Sequence, residues 1–248
     1  MYPLTHAWFA RRTWGEPAEA TILGTMLPDT IIVSGLPWSL THEPGLELLA
    51  QLASLGRAER DFARGWLSHA VDPHGLDYFG DHDYPGTRRG YCFELALPYA
   101  DRAAEICGLP QNLGWWKAHN FVEMGIELLA ADDWAEAAGA CEAALAGAAR
   151  HEGIIERVAS LLAVPPDANR RGYEGFACFL QFGDVSPGGL ALAFERQVRA
   201  KHGVDGIDKG GAAVLIEECA GLARASVGAF TAFAVRNVAE IGERLQIQ

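Results

Sequence analysis

The residue types that could do chemistry in this chain are histidines interleaved with carboxylates. Six of the eight histidines fall within the first 119 residues, each near a carboxylate or another potential ligand; they are His6, His42, His69, His74, His82 and His119. Neutral imidazole together with carboxylate is a good donor set for zinc and for other divalent transition metals. We therefore predict a polynuclear metal site in the N-terminal half of the chain.

The segment from His119 to Glu123 carries one pair of candidate ligands. Side chains four residues apart lie on one face of a helix, about one turn from each other. One helix can therefore deliver both to a single ion or to neighbouring ions, whereas the alternative is a plain hydrogen-bonded pair. Apolar neighbours (Phe121, Val122 and Met124) indicate that this stretch runs through the core. A buried carboxylate there needs a partner, which favours the metal-ligand interpretation.

Three other candidate ligands precede that helix, together with a possible partner. His69 and Asp72 stand three residues apart at the end of a predicted helix, so both project to one side. Alternatively, Asp72 ends the helix and orients His69 by accepting its second ring N–H. Asp29 follows Pro28, whose restricted backbone suits a fixed ligand and equally a helix N-cap. His6 is the candidate nearest the N-terminus.

The remaining histidines lie in weaker contexts. His42 is either a ligand or a surface residue near the start of the next helix. His74 and His82 lie in a Gly-rich acidic loop, and we expect at least one of them to be a ligand. His151 and His202 are remote from the other candidates in the sequence, so we expect both at the surface.

Composition limits the class of protein. With 248 residues and 50% hydrophobic content, the chain can bury a substantial core. The net charge of −12 argues against a basic nucleic-acid-binding surface. Five widely spaced cysteines are typical of small core residues in a reducing compartment. We see neither a signal peptide nor an apolar run long enough for a membrane span, so we expect a cytoplasmic location. No pattern points to a particular oligomeric state.

Apolar residues recur at helical spacing along most of the chain, which predicts an all-α multi-helix bundle around the metal site. We treat residues 1–248 as one helical domain, with the metal-site part at 1–130 and a helical C-terminal part at 131–248. Loops are predicted at 73–90 and 165–172, and Thr30–Val33 is the only short strand candidate. The predicted helices cover 44–67, 91–107, 114–131, 132–149, 152–163, 173–181, 187–202 and 209–245.

Taken in order, these motifs resemble the zinc-dependent phospholipase C superfamily, an all-α group that also includes single-strand-specific nucleases of the S1/P1 type. The resemblance rests on an early histidine, Pro28-Asp29, His42, Gly-Trp-Leu-Ser-His-Ala-Val-Asp at 65–72 and the His-x3-Glu motif at 119–123. It covers about residues 1–130 and is most specific in the last two motifs. It implies a helical fold that holds up to three clustered metal ions and hydrolyses phosphate esters.

The resemblance also implies a ligand set, in which each ion has its own residues. Those for the first ion are Asp29, His42, His69 and Asp72; those for the second are His119, Glu123 and a loop histidine, His82 or else His74; His6 and Asp72 would hold the third. Two spacings differ from the family pattern. His69 and Asp72 are three residues apart instead of four, and no histidine follows at the usual distance.

The implied activity is a metal-dependent, phospholipase C-like hydrolysis of phosphate esters by a metal-activated water. Two or three zinc ions would serve as cofactors, and another divalent metal is possible. Asp29 is the candidate for orienting or deprotonating the water. Aromatic residues, above all Trp115-Trp116, are candidates for lining the pocket. The acidic surface favours small-molecule or lipid phosphoesters over long nucleic acids.

Two alternatives stay open from the sequence. An HD-type phosphohydrolase would use His82-Asp83 as its metal dyad, but such a dyad belongs on a helix and this pair is predicted in a loop. A non-hydrolytic helical iron oxidase or metal-binding protein is the other alternative. A di-iron bundle would use paired Glu-x-x-His motifs, and Ala148 and Arg199 stand where the glutamates before His151 and His202 would be.

Overall fold

The protein contains helices and no strands in the residues that the computed structural model describes, which are 2–179 and 182–247, without the side chains of residues 178 and 179. Fifteen α-helices are present in that part of the chain. Those of the N-terminal part are α1 Pro3–Trp14, α2 Glu19–Met26, α3 Ile31–Ser34, α4 Trp38–His42, α5 Gly45–Ser54, α6 Arg57–His69, α7 Tyr91–Ala96, α8 Ala100–Cys107 and α9 Gly114–Asp133.

The C-terminal part continues the same architecture without a strand among its described residues. Its helices are α10 Ala137–Ala146, α11 Glu152–Leu161, α12 Pro166–Phe179, α13 Pro187–His202, α14 Lys209–Arg224 and α15 Val227–Arg244. Shorter helical turns lie at Pro28–Thr30, Tyr78–His82, Leu97–Tyr99, Gln111–Leu113 and Ala148–His151. Buried apolar side chains from both parts form one continuous core.

Two helix pairs frame the molecule. The first is α2 against α6, with α5 packed on α6, and the second is α9 against α14, with α7 and α8 on α9. Helix α1 contacts both pairs, because it packs on α2, α6 and α9. The candidate ligands come from the elements that meet around α1, so the packing of these pairs sets their relative positions.

Helices α2 and α6 pack so closely that their backbones are in contact, because each helix presents a glycine to the other. A Cβ atom on Gly24 would lie 2.1 Å from the carbonyl oxygen of Phe62, and one on Gly65 would lie 1.9 Å from that of Thr21. No side chain larger than hydrogen fits at either position without moving the helices apart. The close approach also brings the end of α6, which carries His69, against the backbone of Thr25 in α2.

We expect Gly65→Ala to lower the free energy of unfolding by about 1–3 kcal/mol or more, because overpacking a tight interface forces backbone shifts. Urea denaturation measures the change. Gly139→Ala is the matched control, since Gly139 is exposed in α10 and an added Cβ meets nothing within 4 Å. The control should be neutral or stabilising by up to about 1 kcal/mol. Equal midpoints for the two variants would show that α2 and α6 have room to adjust.

Several predicted helices are divided in the structure. The prediction at 44–67 is two helices because Gly56 is extended, with φ of 171°. The one at 91–107 is interrupted at Leu97–Tyr99, where Pro98 cannot continue the hydrogen-bond ladder. The one at 209–245 divides at residues 225–226, where neither glycine nor proline gives a signal. Asp208 is the N-cap of α14, because its side chain accepts a hydrogen bond from Gly211 N–H at 2.9 Å.

Other local predictions were wrong. Thr30–Val33 is helical instead of a strand. The loop predicted at 165–172 is largely helical, because Pro166 occupies the first turn of α12, where proline is tolerated. The helix predicted at 132–149 does not begin at Asp132-Asp133, which ends α9; the chain leaves that helix at Trp134, and α10 begins at Ala137. The predicted helix end at 180–181 and the core position of Cys178 lie outside the described residues.

The other four cysteines are buried, as expected for small core residues; they are Cys92, Cys107, Cys141 and Cys219. No helix in residues 2–179 or 182–247 combines the length and the apolar character that crossing a membrane requires.

Candidate metal centre

Candidate ligands from six different elements converge beside one cavity of about 380 Å³. We divide them into two groups by their contacts. The His69 group consists of His6 from α1, Asp29 from the turn after α2, His42 from α4, His69 from α6 and Asp77 from the segment after α6. The His119 group consists of Asp81 from that same segment and of His119 and Glu123 from α9.

Asp77 connects the histidines of the His69 group. Its Oδ2 lies 3.1 Å from His69 Nε2, and its Oδ1 lies 3.3 Å from His6 Nε2. The two imidazole rings stack with centroids 3.5 Å apart, so both Nε2 atoms face the same carboxylate. Potential ligand atoms of His6, Asp29 and His69 lie within 4.8 Å of one another, as do those of His42, His69 and Asp77.

Backbone hydrogen bonds fix which ring nitrogen of His69 and His42 faces the centre. His69 Nδ1 lies 2.6 Å from the carbonyl oxygen of Thr25, and His42 Nδ1 lies 3.1 Å from that of Trp38. A carbonyl accepts only, so each Nδ1 carries a proton and each Nε2 faces the centre, where it could bind a metal ion once it carries no proton. Such a partner on the second nitrogen is the usual arrangement for metal-bound histidine.

His42 is held in place by the end of α6. Trp66 Nε1–H donates to the carbonyl oxygen of Thr41 at 2.6 Å. The backbone N–H groups of Val71 and Asp72 donate to the carbonyl oxygen of His42 at 2.7 and 3.2 Å. The chain after α6 therefore locks the short helix α4, and His42 is buried instead of lying at the surface.

Asp77, and not the predicted ligand Asp72, lies with the histidines of the His69 group. Asp72 has an exposed side chain and belongs to neither group among the described residues. Its contribution is the backbone contact to His42. The chain turns away at Asp72-Pro73 and re-enters the core in a helical turn that begins at Leu76. This turn buries Asp77, which the prediction of a loop over 73–90 had left among solvated residues.

Asp81 takes the place in the His119 group that was predicted for a loop histidine. Potential ligand atoms of Asp81, His119 and Glu123 lie within 4.8 Å of one another. Asp77 and Asp81 are four residues apart in one helical segment, which places them on one face. Asn120 Nδ2 donates to Glu123 Oε2 at 3.0 Å and fixes that carboxylate.

The other predicted histidines lie apart from both groups in the described part of the chain. His74 and His82 are exposed, and the ring of each stacks with that of Tyr78, which lies between them in the sequence. His82 also lines the cavity. His151 is paired with Glu19 at 3.1 Å. His202 is partly buried, with its ring edge-on to Trp116, so it is less exposed than predicted.

Burial and mutual contact shift the pKa values of these groups. Burial would lower the pKa of His69, but the adjacent Asp77 carboxylate offsets this and raises it, so a metal ion would have to displace that proton. Burial lowers the pKa of His42 to about 3 and that of His119 to about 4, so both rings are neutral at pH 7. Burial and the neighbouring His69 hold the pKa of His6 well below its usual range. Burial alone would raise the pKa of Asp77, but adjacent positive charge, including that of His69, depresses it. Burial and the Glu123 charge raise the pKa of Asp81.

Buried polar atoms without a hydrogen-bond partner are concentrated in this site. They include His6 Nδ1, His119 Nδ1 and Asp81 Oδ1 among the described residues. Burying such atoms unpaired is costly, so a ligand that satisfies them is expected. Imidazole nitrogens and carboxylate oxygens at these separations form the donor set that zinc and similar divalent ions prefer. The residues present therefore fit a metal ion in each group.

Helix α1 is positioned against α9 by Glu127, a residue that the sequence analysis did not single out. Its carboxylate accepts hydrogen bonds from Leu4 N–H at 3.0 Å and from Thr5 N–H and Oγ–H at 2.6 Å each. These are donors of the first turn of α1, so Glu127 acts as an N-cap from another helix. Glu123 lies one turn before Glu127 on α9, and His6 follows Thr5 directly. Glu127 therefore also fixes the position of His6 relative to Glu123.

Glu127 should give stability an unusual pH dependence. Burial raises the pKa of its carboxyl to about 7 from an ordinary value of 4.5, despite the bonds from Thr5 and Leu4. Its contribution to the free energy of unfolding is therefore complete below about pH 4.5 and is lost as the pH rises through about 7. The loss is at most about 3 kcal/mol.

Glu127→Gln removes this titration. As the pH rises from 5 to 8, the free energy of unfolding of the wild type should fall relative to that of Glu127→Gln. Urea denaturation of chelator-treated proteins measures this difference. Comparing two proteins cancels the other groups that titrate in this range. Parallel pH profiles would contradict the assignment.

The cavity joins the metal-ligand groups to an aromatic and cationic wall. Trp38, Phe93, Trp115 and Trp116 line it, and the last two were predicted to contact a substrate. Four other aromatic residues lie close in sequence to candidate ligands: Trp8, Phe9 and Phe79 are buried in the core, and Tyr78 packs against it. Arg89 lies over the ring of Trp115 at 4.4 Å.

Comparisons with family models, with curated proteins and with solved structures found no match to this chain.

Proposed function

We propose that the protein is a metal-dependent hydrolase of phosphate esters, similar in its chemistry to the zinc-dependent phospholipases C. One observation carries the proposal: histidine nitrogens and carboxylate oxygens from six elements converge beside a cavity, several of them buried and without a hydrogen-bond partner. Two or three zinc ions, or another divalent metal, would satisfy them. Asp77 lies between the histidines of the His69 group, and Asp81 links the same segment to the His119 group.

Bound divalent ions would supply a nucleophile near neutral pH by lowering the pKa of water, and would stabilise negative charge on phosphoryl oxygens. The chain itself contributes position and proton transfer. Asp29 belongs to the His69 group and lines the cavity, so its carboxylate is placed to orient water or accept its proton. Burial raises the pKa of the Asp29 carboxyl, which makes it a better base than an exposed aspartate.

The cavity favours a small organic phosphoester as substrate. Its volume of about 380 Å³ lies within the range of small-molecule sites. The aromatic wall suits an apolar or aromatic group, and the net charge of −12 would repel a long polyanion. Short-chain lipid and soluble phosphoesters are therefore better candidates than nucleic acids.

The alternatives find less support in the described residues. An HD-type phosphohydrolase would need His82 and Asp83 as its metal dyad, and both side chains are exposed. A di-iron oxidase would be expected to use several glutamates, whereas Glu123 is the one glutamate in the two groups.

A substrate panel tests the proposed reaction class. Metal-replete protein should hydrolyse at least one of four classes: phosphomonoesters, phosphodiesters, phospholipid vesicles and single-stranded nucleic acid. A chelator should abolish the activity and added zinc should restore it. Protein with bound metal that is silent on all four classes, yet consumes dioxygen at an iron centre, would favour the oxidase alternative.

A further inference from the structure

Lys117 is a buried cation that the proposed metal centre does not use. Only 3% of its surface is exposed, and it lines the cavity beside the His119 group. In the described part of the chain it forms no salt bridge, and its closest recorded partner is the ring of Trp116, 4.3 Å from Nζ. A buried ammonium group without a counterion is costly, so an anion in the cavity is its natural partner.

Two more cationic side chains line the same cavity. Lys201 lies on α13, and Arg89 lies over Trp115 at 4.4 Å. The sequence contains three lysines in all, and two of them, Lys117 and Lys201, reach this cavity. Gln197 stands one turn before Lys201 and also lines the cavity, where its Oε1 accepts a hydrogen bond from Tyr2 at 3.2 Å.

The charge balance of the loaded site favours a multiply charged anion. Two divalent ions would neutralise the four carboxylates of the His69 and His119 groups, with the histidines neutral. The three cationic side chains then remain in excess. A phosphomonoester carries nearly two negative charges at neutral pH, whereas a phosphodiester carries one at its phosphorus.

We propose that Lys117, with Lys201 and Arg89, forms an anion-binding wall that selects phosphomonoesters over phosphodiesters. The inference rests on the proposed hydrolase function for the reaction. In that reaction the water oxygen forms a bond to phosphorus and the bond from phosphorus to the ester oxygen breaks. The proton of the water passes to the leaving oxygen, which gives an alcohol and inorganic phosphate. Phosphate is therefore both the product and a direct probe of the wall.

Binding of inorganic phosphate to metal-replete protein tests the wall without turnover. By isothermal titration calorimetry, Lys117→Met should weaken phosphate binding about 10- to 100-fold, as expected for one hydrogen bond to a charged group. Lys201→Met should weaken it less, because Lys201 is exposed and its charge is screened. Lys209→Met is the control, since Lys209 pairs with Glu195 outside the cavity, and it should bind like wild type.

Replacing a buried charge with methionine should not lower the unfolding temperature in the absence of phosphate. If Lys117→Met does not fold, Lys201→Met still tests the wall. Phosphate binding unchanged in both variants would overturn the inference.

Selectivity is measured with p-nitrophenyl phosphate and bis(p-nitrophenyl) phosphate. Wild type should prefer the monoester, and Lys117→Met should lower kcat/KM for the monoester about 10-fold more than for the diester. A preference for the diester, or for phospholipid vesicles, would overturn the selectivity. Absence of all hydrolysis would overturn the proposed function, and Lys117-dependent phosphate binding would still support the anion-binding wall.

Discussion

Replacing Asp77 with asparagine should abolish hydrolytic activity and weaken metal binding by at least about 100-fold, the upper end of what loss of an outer-sphere partner costs. Asp77 places one carboxylate oxygen 3.1 Å from His69 Nε2 and the other 3.3 Å from His6 Nε2. Asparagine keeps the shape but loses the charge that divalent ions require. The measurement is metal content per chain by elemental analysis, together with activity on the best substrate of the panel.

Asp72→Asn is the matched control for this prediction. Asp72 lies five residues earlier and was the carboxylate expected from the sequence, but its side chain is exposed. Its structural contribution is the backbone N–H bond to His42, which asparagine keeps. We therefore expect Asp72→Asn to retain metal and activity. The reverse result, in which Asp72→Asn loses metal and Asp77→Asn keeps it, would restore the ligand set implied by the family resemblance.

His69→Ala should have the second large effect, because His69 joins both triads of the His69 group. It is fully buried, and its removal leaves the Asp77 carboxylate without its closest imidazole. We expect loss of metal and activity, and a free energy of unfolding lower by roughly 3–5 kcal/mol, as for a broken buried ion pair. Elemental analysis measures the loss of metal, and urea denaturation measures the loss of stability. His119→Ala should likewise remove metal from the His119 group.

The control is His151→Ala. His151 is partly exposed and pairs with Glu19, and it belongs to neither group among the described residues. Its removal should leave metal content and activity unchanged and cost at most about 1 kcal/mol of stability. Equal metal content in His69→Ala, His119→Ala and His151→Ala would refute the assignment of both groups.

The sequence predicted the helical class and most of the converging ligands because both depend on local patterns. Helical spacing identified α9 and placed His119 and Glu123 on one face. The structure brings together His6, Asp29, His42, His69, His119 and Glu123, all of which were candidates. Burial of His119 and Glu123 followed from the apolar neighbours of this stretch, such as Phe121.

Asp77 and Asp81 were missed because their environment is tertiary. The glycines and prolines of residues 73–90 predicted a loop, and this outweighed the spacing of four that aligns the two aspartates on a helical turn. That spacing, together with the irregular interval from His69 to Asp72, was the available signal. The role of Glu127 could not be predicted from local patterns, because it caps a helix that lies 122 residues away in the sequence.

The metal content of the wild-type protein tests the central proposal most directly. Protein produced in medium containing zinc, iron and manganese, purified without chelator or affinity metal, should carry two or three zinc ions, or another divalent metal, per chain by elemental analysis. The count should fall in Asp77→Asn and stay constant in Asp72→Asn. A wild-type protein that carries no metal, and gains none on dialysis against zinc, would contradict the proposed centre and the hydrolysis that depends on it.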